Sequence, residues 1–178
     1  MVRIPLSLFL ALVGVVLAGC SSETRSISAD YTLGSTGESI VIGRSEVYYP
    51  ESGETNVSFL SLKNEGTGET YRARYDTSHS DPLYFYVVLE PGPYRVIGWD
   101  NMNWKGSVNG RFDVKASQIV YIGDLRFTAR SRGIVLYANQ PGSLSVIDNY
   151  EQAVTSFRKN YPRIKQDVVK SLIILGKN

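Results

Sequence analysis

Residues 83–99 read Leu-Tyr-Phe-Tyr-Val-Val-Leu-Glu-Pro-Gly-Pro-Tyr-Arg-Val-Ile-Gly-Trp, and this stretch decides the fold class. In an extended chain, one side of its first half carries Leu83, Phe85, Val87 and Leu89, and the other side carries Tyr84, Tyr86 and Val88. This alternation predicts a β-strand whose first set of side chains faces a core. Residues 90–93 must turn, since proline cannot donate a hydrogen bond to a sheet and glycine accepts positive φ. Residues 94–99 return as a second strand, so the stretch predicts a β-hairpin.

Further strand patterns lie on both sides of this hairpin. They occupy residues 39–44, 47–49, 55–63, 71–75, 108–114, 119–127, 133–139 and 144–147, with turn-forming residues between them. Within 71–75, three apolar or aromatic residues alternate with Arg72 and Arg74, which predicts a half-buried strand with a charged outer face. In total, roughly seven to nine short strands separated by regular turns are typical of an antiparallel sandwich or barrel.

The hairpin also resembles a known module. Leu89-Glu90-Pro91-Gly92-Pro93-Tyr94-Arg95-Val96 is similar to the L-x-P-G-x-Y-x-V hairpin of prealbumin-like and carboxypeptidase-regulatory-like sandwich domains. Such modules often continue with a strand like Ile119-Val120-Tyr121-Ile122-Gly123. The resemblance implies a mainly β fold, an antiparallel prealbumin-like β-sandwich over residues 38–148. It implies no activity, because sandwiches of this kind host many roles.

The pattern changes after Asp148. Asp148 and Glu151 have the spacing of a capping box, and Ala153, Val154 and Phe157 form an apolar stripe at helical spacing. Tyr161 precedes a proline, which ends this helix. A second helix is predicted from Pro162 to about Leu175, with a strand over 171–175 as the alternative. Residues 149–178 are therefore expected to form a helical segment packed on the sandwich.

The N-terminus has the features of a secretory signal. Arg3 precedes an apolar run from Leu8 to Leu17, too short to span a bilayer, which takes about 20 apolar residues. Leu17-Ala18-Gly19-Cys20 resembles the lipobox of bacterial lipoproteins, including uncharacterised lipoprotein families that combine it with such a hairpin. The resemblance implies a signal helix at residues 1–19, cleavage between Gly19 and Cys20, and a lipid on the Cys20 thiol. Two or three acyl chains give stable membrane anchoring, whereas one chain is marginal.

The polar residues that follow predict a spacer and a location. Residues 20–37 are mostly small and polar, which favours a flexible tether, although Tyr31 and Leu33 could already pair with the domain. Ser21, in the place of an aspartate, resembles the outer-membrane class of enterobacterial lipoproteins. The expected location is the cell envelope, with the domain anchored to the outer membrane and facing the periplasm.

Charge and composition exclude some partners. The 178 residues include 19 Lys and Arg and 17 Asp and Glu, and loss of Arg3 with the signal leaves 18 against 17. This balance is not the basic footprint of a nucleic-acid-binding protein. Cys20 is the single cysteine, so the fold has no internal disulfide.

No motif predicts catalysis or a cofactor. His79 is the single histidine, and its serine and aspartate neighbours follow one another along a loop instead of converging on one atom. A zinc site needs more His or Cys than the chain has. No phosphate-binding or dinucleotide-binding glycine motif is present. We therefore expect neither enzymatic activity, nor a cofactor, nor a bound metal.

Aromatic residues are the remaining candidates for ligand contact. Tyr48, Tyr49, Trp99 and Trp104, with Tyr84 and Tyr86, exceed what one sandwich face needs. Exposed rings could stack on sugars or anchor a protein, whereas cross-strand pairing is the alternative. The sequence therefore favours a membrane-anchored, non-catalytic binding or assembly module with a protein or glycan partner. A carbohydrate- or peptidoglycan-binding module and an envelope hydrolase are the alternatives.

Overall fold

The computed structural model describes residues 27, 31–33, 37–75, 84–101, 105–129 and 143–176, which form two β-sheets and one α-helix. The strands are β1 (Ser39–Tyr49), β2 (Glu54–Val57), β3 (Phe59–Asn64), β4 (Thr70–Ala73), β5 (Phe85–Leu89), β6 (Gly92–Asp100), β7 (Lys105–Val114), β8 (Ile119–Thr128), β9 (Ser143–Ile147), β10 (Val168–Lys170) and β11 (Ile174–Leu175). Helix α1 spans Tyr150–Asn160. This part of the chain is mainly β and sandwich-like, as predicted, with eleven strands where about seven to nine were expected. The predicted strand 133–139 lies outside the described residues.

The two sheets differ in strand direction. Sheet A has the order β10-β8-β1-β2, with β5 also on β1 and β9 also on β8, whereas sheet B has the order β11-β7-β6-β3-β4. In sheet A, β8 runs parallel to both β1 and β10. The expectation of a purely antiparallel sandwich is therefore wrong for sheet A. Parallel neighbours need a long crossover connection, and helix α1 lies in the connection from β8 to β10.

The predicted hairpin is instead a corner between the sheets. Strand β5 pairs with β1 in sheet A, while β6 pairs with β3 and β7 in sheet B. The Tyr94 hydroxyl donates a hydrogen bond to the Glu90 carbonyl at 2.9 Å and accepts one from the Asn64 amide at 3.1 Å. A tyrosine that bonds back to the backbone just upstream is a known way to fix such a corner. Gly92 has φ +149°, and a side chain there would crowd Asn64.

Two apolar cores lie on the two sides of sheet A. The inter-sheet core, between sheets A and B, includes Phe85, Val87 and Leu89, which confirms the predicted core face of β5; Leu83 lies outside the described residues. The helix-side core, between sheet A and α1, takes the opposite face of β5, with Tyr84, Tyr86 and Val88. Both faces of β5 are therefore buried, and the described residues form three layers: sheet B, sheet A and the helix.

A single bulge keeps the long strand β8 in register with β1. Ile42 pairs with Tyr121 and Arg44 pairs with Asp124, so β8 has one extra residue between these pairs. The bulge includes Gly123 at φ +97°, where a Cβ would lie 2.5 Å from a Val146 methyl carbon. Because of this bulge, Leu125 still faces the inter-sheet core while Asp124 faces the other side.

The C-terminal segment contains one helix, not two. Helix α1 forms as predicted and buries Ala153 and Phe157. The predicted second helix is wrong: residues 168–176, here called the closing segment, run extended from β10 on sheet A to β11 on sheet B. Backbone hydrogen bonds from Ser171 to Tyr121 and from Ile173 to Ile122 continue the pairing between these strands. The edges of both sheets offer unpaired backbone groups, which outweighs the helical spacing of the sequence.

The predicted capping box does not form. Asn149 is the N-cap residue of α1, and it makes no side-chain capping bond. Its side-chain amide instead donates to Asp124 at 2.8 Å. Asp148 accepts a hydrogen bond from the Tyr150 backbone at 3.2 Å and forms an ion pair with Lys170 at 2.7 Å.

The domain begins earlier than residue 38. Ile27 and Leu33 are buried in the helix-side core, and Tyr31 packs against it. The predicted tether of residues 20–37 is therefore too long at its C-terminal end, because the apolar side chains of Ile27 and Leu33 gain from burial. The predicted signal at residues 1–19 and its cleavage site at Gly19 and Cys20 lie outside the described residues.

Candidate binding surface

The outer face of sheet B is turned away from both apolar cores, and no described element covers it. Its inner positions fill the inter-sheet core, so the alternate positions point outward. We call these outward positions the basic face, because their cations are Lys63, Arg72, Arg74, Arg95, Lys105 and Arg111, and their carboxylates are Asp100 and Asp113, with Glu65 at the rim. Six cations thus stand against three carboxylates, although the whole chain is nearly balanced.

An aromatic and arginine cluster marks one end of the basic face. The rings of Phe59 and Tyr75 stack with centroids 5.8 Å apart. The guanidinium carbons of Arg72 and Arg74 lie 4.7 and 5.6 Å from the centre of the Phe59 ring. Arg72 also forms an ion pair with Asp100. Because the ring holds both arginines in place, their charge is fixed on the surface at a low entropic cost.

Glu65 organises the middle of the basic face. Arg95 donates two hydrogen bonds to one Glu65 oxygen, at 2.9 and 2.5 Å. Arg111, across the strand pair from Arg95, lies 4.0 Å from the other oxygen. One carboxylate therefore faces two guanidinium groups, and the pair of arginines keeps a net positive charge.

Apolar side chains adjoin these charges near the β11 edge. Ile174 is 74% exposed and Ile97 is 36% exposed, and both belong to the three exposed large hydrophobic residues of the described chain. Ile174 sits opposite Arg111 in the strand register. Exposed apolar groups next to arginines are the composition that protein-binding surfaces favour.

Buried carboxylates lie elsewhere, on the outer side of sheet A. Glu46 is 1% exposed and pairs with Arg44 and with Arg126, the latter at 2.5 Å. Arg126 also lies over the Tyr48 ring, 5.2 Å from its centre. Both oxygens of Glu46 lie at ion-pair distance from a guanidinium group, although Oε2 accepts no hydrogen bond from the described residues.

Asp124 is the second buried carboxylate, and both of its oxygens accept a hydrogen bond. Tyr121 donates to one of its oxygens at 2.9 Å, and Asn149 donates to the other at 2.8 Å. Burial raises the pKa of Asp124, and the two hydrogen bonds and nearby Arg44 only partly oppose this effect. Burial, with the neighbouring Asp124 charge, also raises the pKa of Tyr121. The hydrogen bonds among Tyr121, Asp124 and Asn149 connect β8 to the start of α1, so these side chains stabilise the fold.

Of the predicted ligand-contact aromatics, one is buried and two are half-buried in the described part of the chain. Tyr49 lies in the inter-sheet core, Tyr48 is half-buried beneath Arg126, and half-buried Trp99 packs against Phe127 with ring centroids 4.4 Å apart. Trp104 lies outside the described residues, as do His79 and Cys20.

Tyr84 and Tyr86 are buried too, contrary to the expectation that they add to an exposed aromatic surface. The Tyr86 hydroxyl bonds Ser156 at 2.8 Å and accepts from Asn160 at 3.2 Å, so this ring seats the helix. The structure therefore brings none of the predicted aromatics together as an exposed strip within the described chain.

The sequence contained one signal for the basic face. The alternation over residues 71–75 predicted the outward Arg72 and Arg74, and this prediction is confirmed, since Tyr71 and Ala73 face the inter-sheet core. Phe59 was missed, because either face of residues 55–63 could have been the inner one. Only the pairing of β3 with β4 brings Phe59 within reach of those arginines.

The described ranges contain neither a cluster of metal ligands nor a helix that could span a membrane. These residues include no group of three or more His, Cys, Asp and Glu side chains that could hold a metal ion. Within the same ranges, none of the helical structure is both long and apolar enough to cross a bilayer.

Comparisons with protein-family models, with curated proteins and with solved structures find no match for this chain.

Proposed function

We propose that this protein is a lipid-anchored envelope protein whose sandwich is a non-catalytic binding or assembly module. The lipobox-like Leu17–Cys20 supports the anchor, and Ser21 supports the outer membrane as its location. The cleaved signal helix at residues 1–19 belongs to the same proposal. Acylation of Cys20 would hold the domain at the membrane surface, facing the periplasm.

The single observation that carries the binding role is the basic face. It combines an excess of fixed cations with exposed Ile97 and Ile174 on a rigid sheet. Rigid arginines beside apolar side chains suit a partner that presents acidic groups around an apolar centre. The proposed partner is therefore an acidic protein surface in the envelope.

The alternative functions have less support. Glycan binding through stacked rings depends on exposed aromatics, whereas Tyr49, Tyr84 and Tyr86 are buried. Hydrolysis depends on an available carboxylate pair or a histidine base, whereas Glu46 is ion-paired with two arginines and both oxygens of Asp124 accept hydrogen bonds. Neither alternative is favoured by an observation in the described residues.

The prealbumin-like assignment is also a proposal. It is supported by the two-sheet sandwich and by the position of the Leu89–Val96 motif at a corner where the chain changes sheets. The parallel pairing of β8 with β1 gives sheet A a mixed character that the proposal must include.

Site-specific photocrosslinking in intact cells tests the binding role. A photoreactive residue at Ile174 should form a protein adduct, and the same residue at Thr155, exposed on helix α1, should not. The double variant Lys63→Glu/Arg111→Glu should abolish the adduct at Ile174 by reversing charge on the basic face. Equal adducts at both positions, or an adduct insensitive to charge reversal, would contradict the proposed surface.

A further inference from the structure

The chain enters the domain on the helix side. Ile27 and Leu33 are both buried in the helix-side core, while the basic face lies on the far side of both sheets. Six residues separate Cys20 from Ile27. Even fully extended, these seven Cα–Cα steps span at most about 25 Å.

This short reach limits how the domain can sit on a membrane. Packed sheets are about 10 Å apart, and a helix layer adds about as much again. Because the lipid on Cys20 lies within about 25 Å of Ile27, it reaches the bilayer most directly when the domain turns its helix layer towards the membrane. The basic face then points away from the membrane, towards its partner.

The helix layer exposes its own cations. Lys159, Arg163 and Lys165 are exposed at the end of α1 and in the turn after it, with exposed Asp167 as the nearby acid in the chain. The buried neighbours Tyr161 and Ile164 belong to the helix-side core, so this turn lies in the helix layer.

The turn is held rigidly by Arg158. Its guanidinium donates to the backbone carbonyls of Ile164 and of Gln166, the latter at 2.5 Å. The Tyr161 backbone also bonds the Phe157 carbonyl at 2.8 Å. The backbone that carries Arg163 and Lys165 is therefore held to α1, so a contact through these cations does not first have to order a flexible loop.

We infer that the helix layer faces the membrane and that Lys159, Arg163 and Lys165 contact anionic phospholipid headgroups. The inference rests on the proposed lipid anchor. Its support is the length of the chain between Cys20 and Ile27 and the complementary charge of the cations. Each Lys or Arg near an anionic surface strengthens the contact about fivefold.

Fluorescence quenching in vesicles tests this orientation. The mature acylated protein is reconstituted into anionic vesicles that contain headgroup-labelled quencher lipid. It carries one fluorophore, at Gln166→Cys on the helix layer or at Ser107→Cys on the basic face; both positions are exposed. The label at residue 166 should be quenched and the label at residue 107 should not. Equal quenching, or stronger quenching at residue 107, overturns the orientation.

Two matched variants test the charge contribution. Lys159→Gln/Arg163→Gln/Lys165→Gln removes three such cations, so it should weaken the headgroup contact about a hundredfold and strongly lower the quenching at residue 166. Lys63→Gln/Lys105→Gln/Arg111→Gln, with the same loss of charge, should leave that quenching unchanged. Equal effects, or unchanged quenching in vesicles of neutral lipid, overturn the headgroup contact. If the proposed lipid anchor is absent, the result differs: the free Cys20 thiol reacts with the fluorophore, and the protein does not bind to the vesicles.

Discussion

Ile173 and Ile174 are neighbours with the same side chain on opposite sides of sheet B, so they test how the closing segment is held. Ile173 is 5% exposed and packs into the inter-sheet core, where its methyl carbon would lie only 2.7 Å from a Cβ on Gly110. Truncating a buried isoleucine to alanine loses transfer energy and leaves a cavity, which together cost about 2–5 kcal/mol. Ile174 is 74% exposed, so Ile174→Ala should change stability by less than about 0.5 kcal/mol.

Urea unfolding followed by tryptophan fluorescence measures both variants. A loss of about 2–5 kcal/mol is a large part of the roughly 5–15 kcal/mol that stabilises a typical domain, so Ile173→Ala should lower the urea midpoint by roughly 1–2 M. Ile174→Ala should leave the midpoint unchanged. If the two variants behave alike, residues 168–176 do not bridge the sheets as an extended segment, because the strand alternation of Ile173 and Ile174 would be absent.

Three further predictions concern the corner, the bulge and the buried carboxylate. Tyr94→Phe should destabilise the domain by about 1–3 kcal/mol in chemical unfolding, because it leaves the Asn64 amide and the Glu90 carbonyl without their partner. An unchanged stability would show that the corner does not need the hydroxyl. Gly123→Ala should cost at least about 1–3 kcal/mol, because the position has a positive φ and the new Cβ would clash with Val146. The control Gly53→Ala, at φ +69° with open space around it, should cost clearly less. A lower melting temperature for Gly53→Ala than for Gly123→Ala would refute the bulge. Because burial raises the pKa of Asp124, the folded state binds its proton more tightly than the unfolded chain, whose aspartate has a pKa of about 3.9. The free energy of unfolding, measured relative to Asp124→Asn, should therefore fall as the pH rises from the unfolded-state pKa through the raised pKa of the folded state. A rise in this pH range would contradict the burial of the Asp124 carboxylate.

Local patterns predicted much of this fold because they depend on neighbours in the chain. The alternation in residues 83–89 placed Phe85, Val87 and Leu89 in one core, and the apolar spacing of Ala153 and Phe157 predicted α1. The turn after Leu89 was also placed correctly. The same turn was interpreted as a hairpin, however, because a sequence shows that the chain reverses and not which strand it joins next.

The errors arose where long-range pairing decides the structure. Residues 168–176 have apolar residues at helical spacing, yet the open edges of β8 and β7 pair them as strands. Tyr84 and Tyr86 looked like exposed aromatics because the sequence does not show which face of the sandwich the predicted C-terminal helical segment covers. The basic face was predicted only at Arg72 and Arg74, since its other members come from strands distant in sequence and share a surface only after folding.

Mass spectrometry of the mature N-terminal peptide shows whether Cys20 carries a lipid. We expect a chain that begins at Cys20, carries diacylglycerol on the thiol and is recovered in the membrane fraction. The variant Cys20→Ser should leave the domain folded, because the described domain packs from Ile27 onward, but it should lose the lipid. A soluble mature protein with an unmodified Cys20 would rule out the proposed lipid anchor.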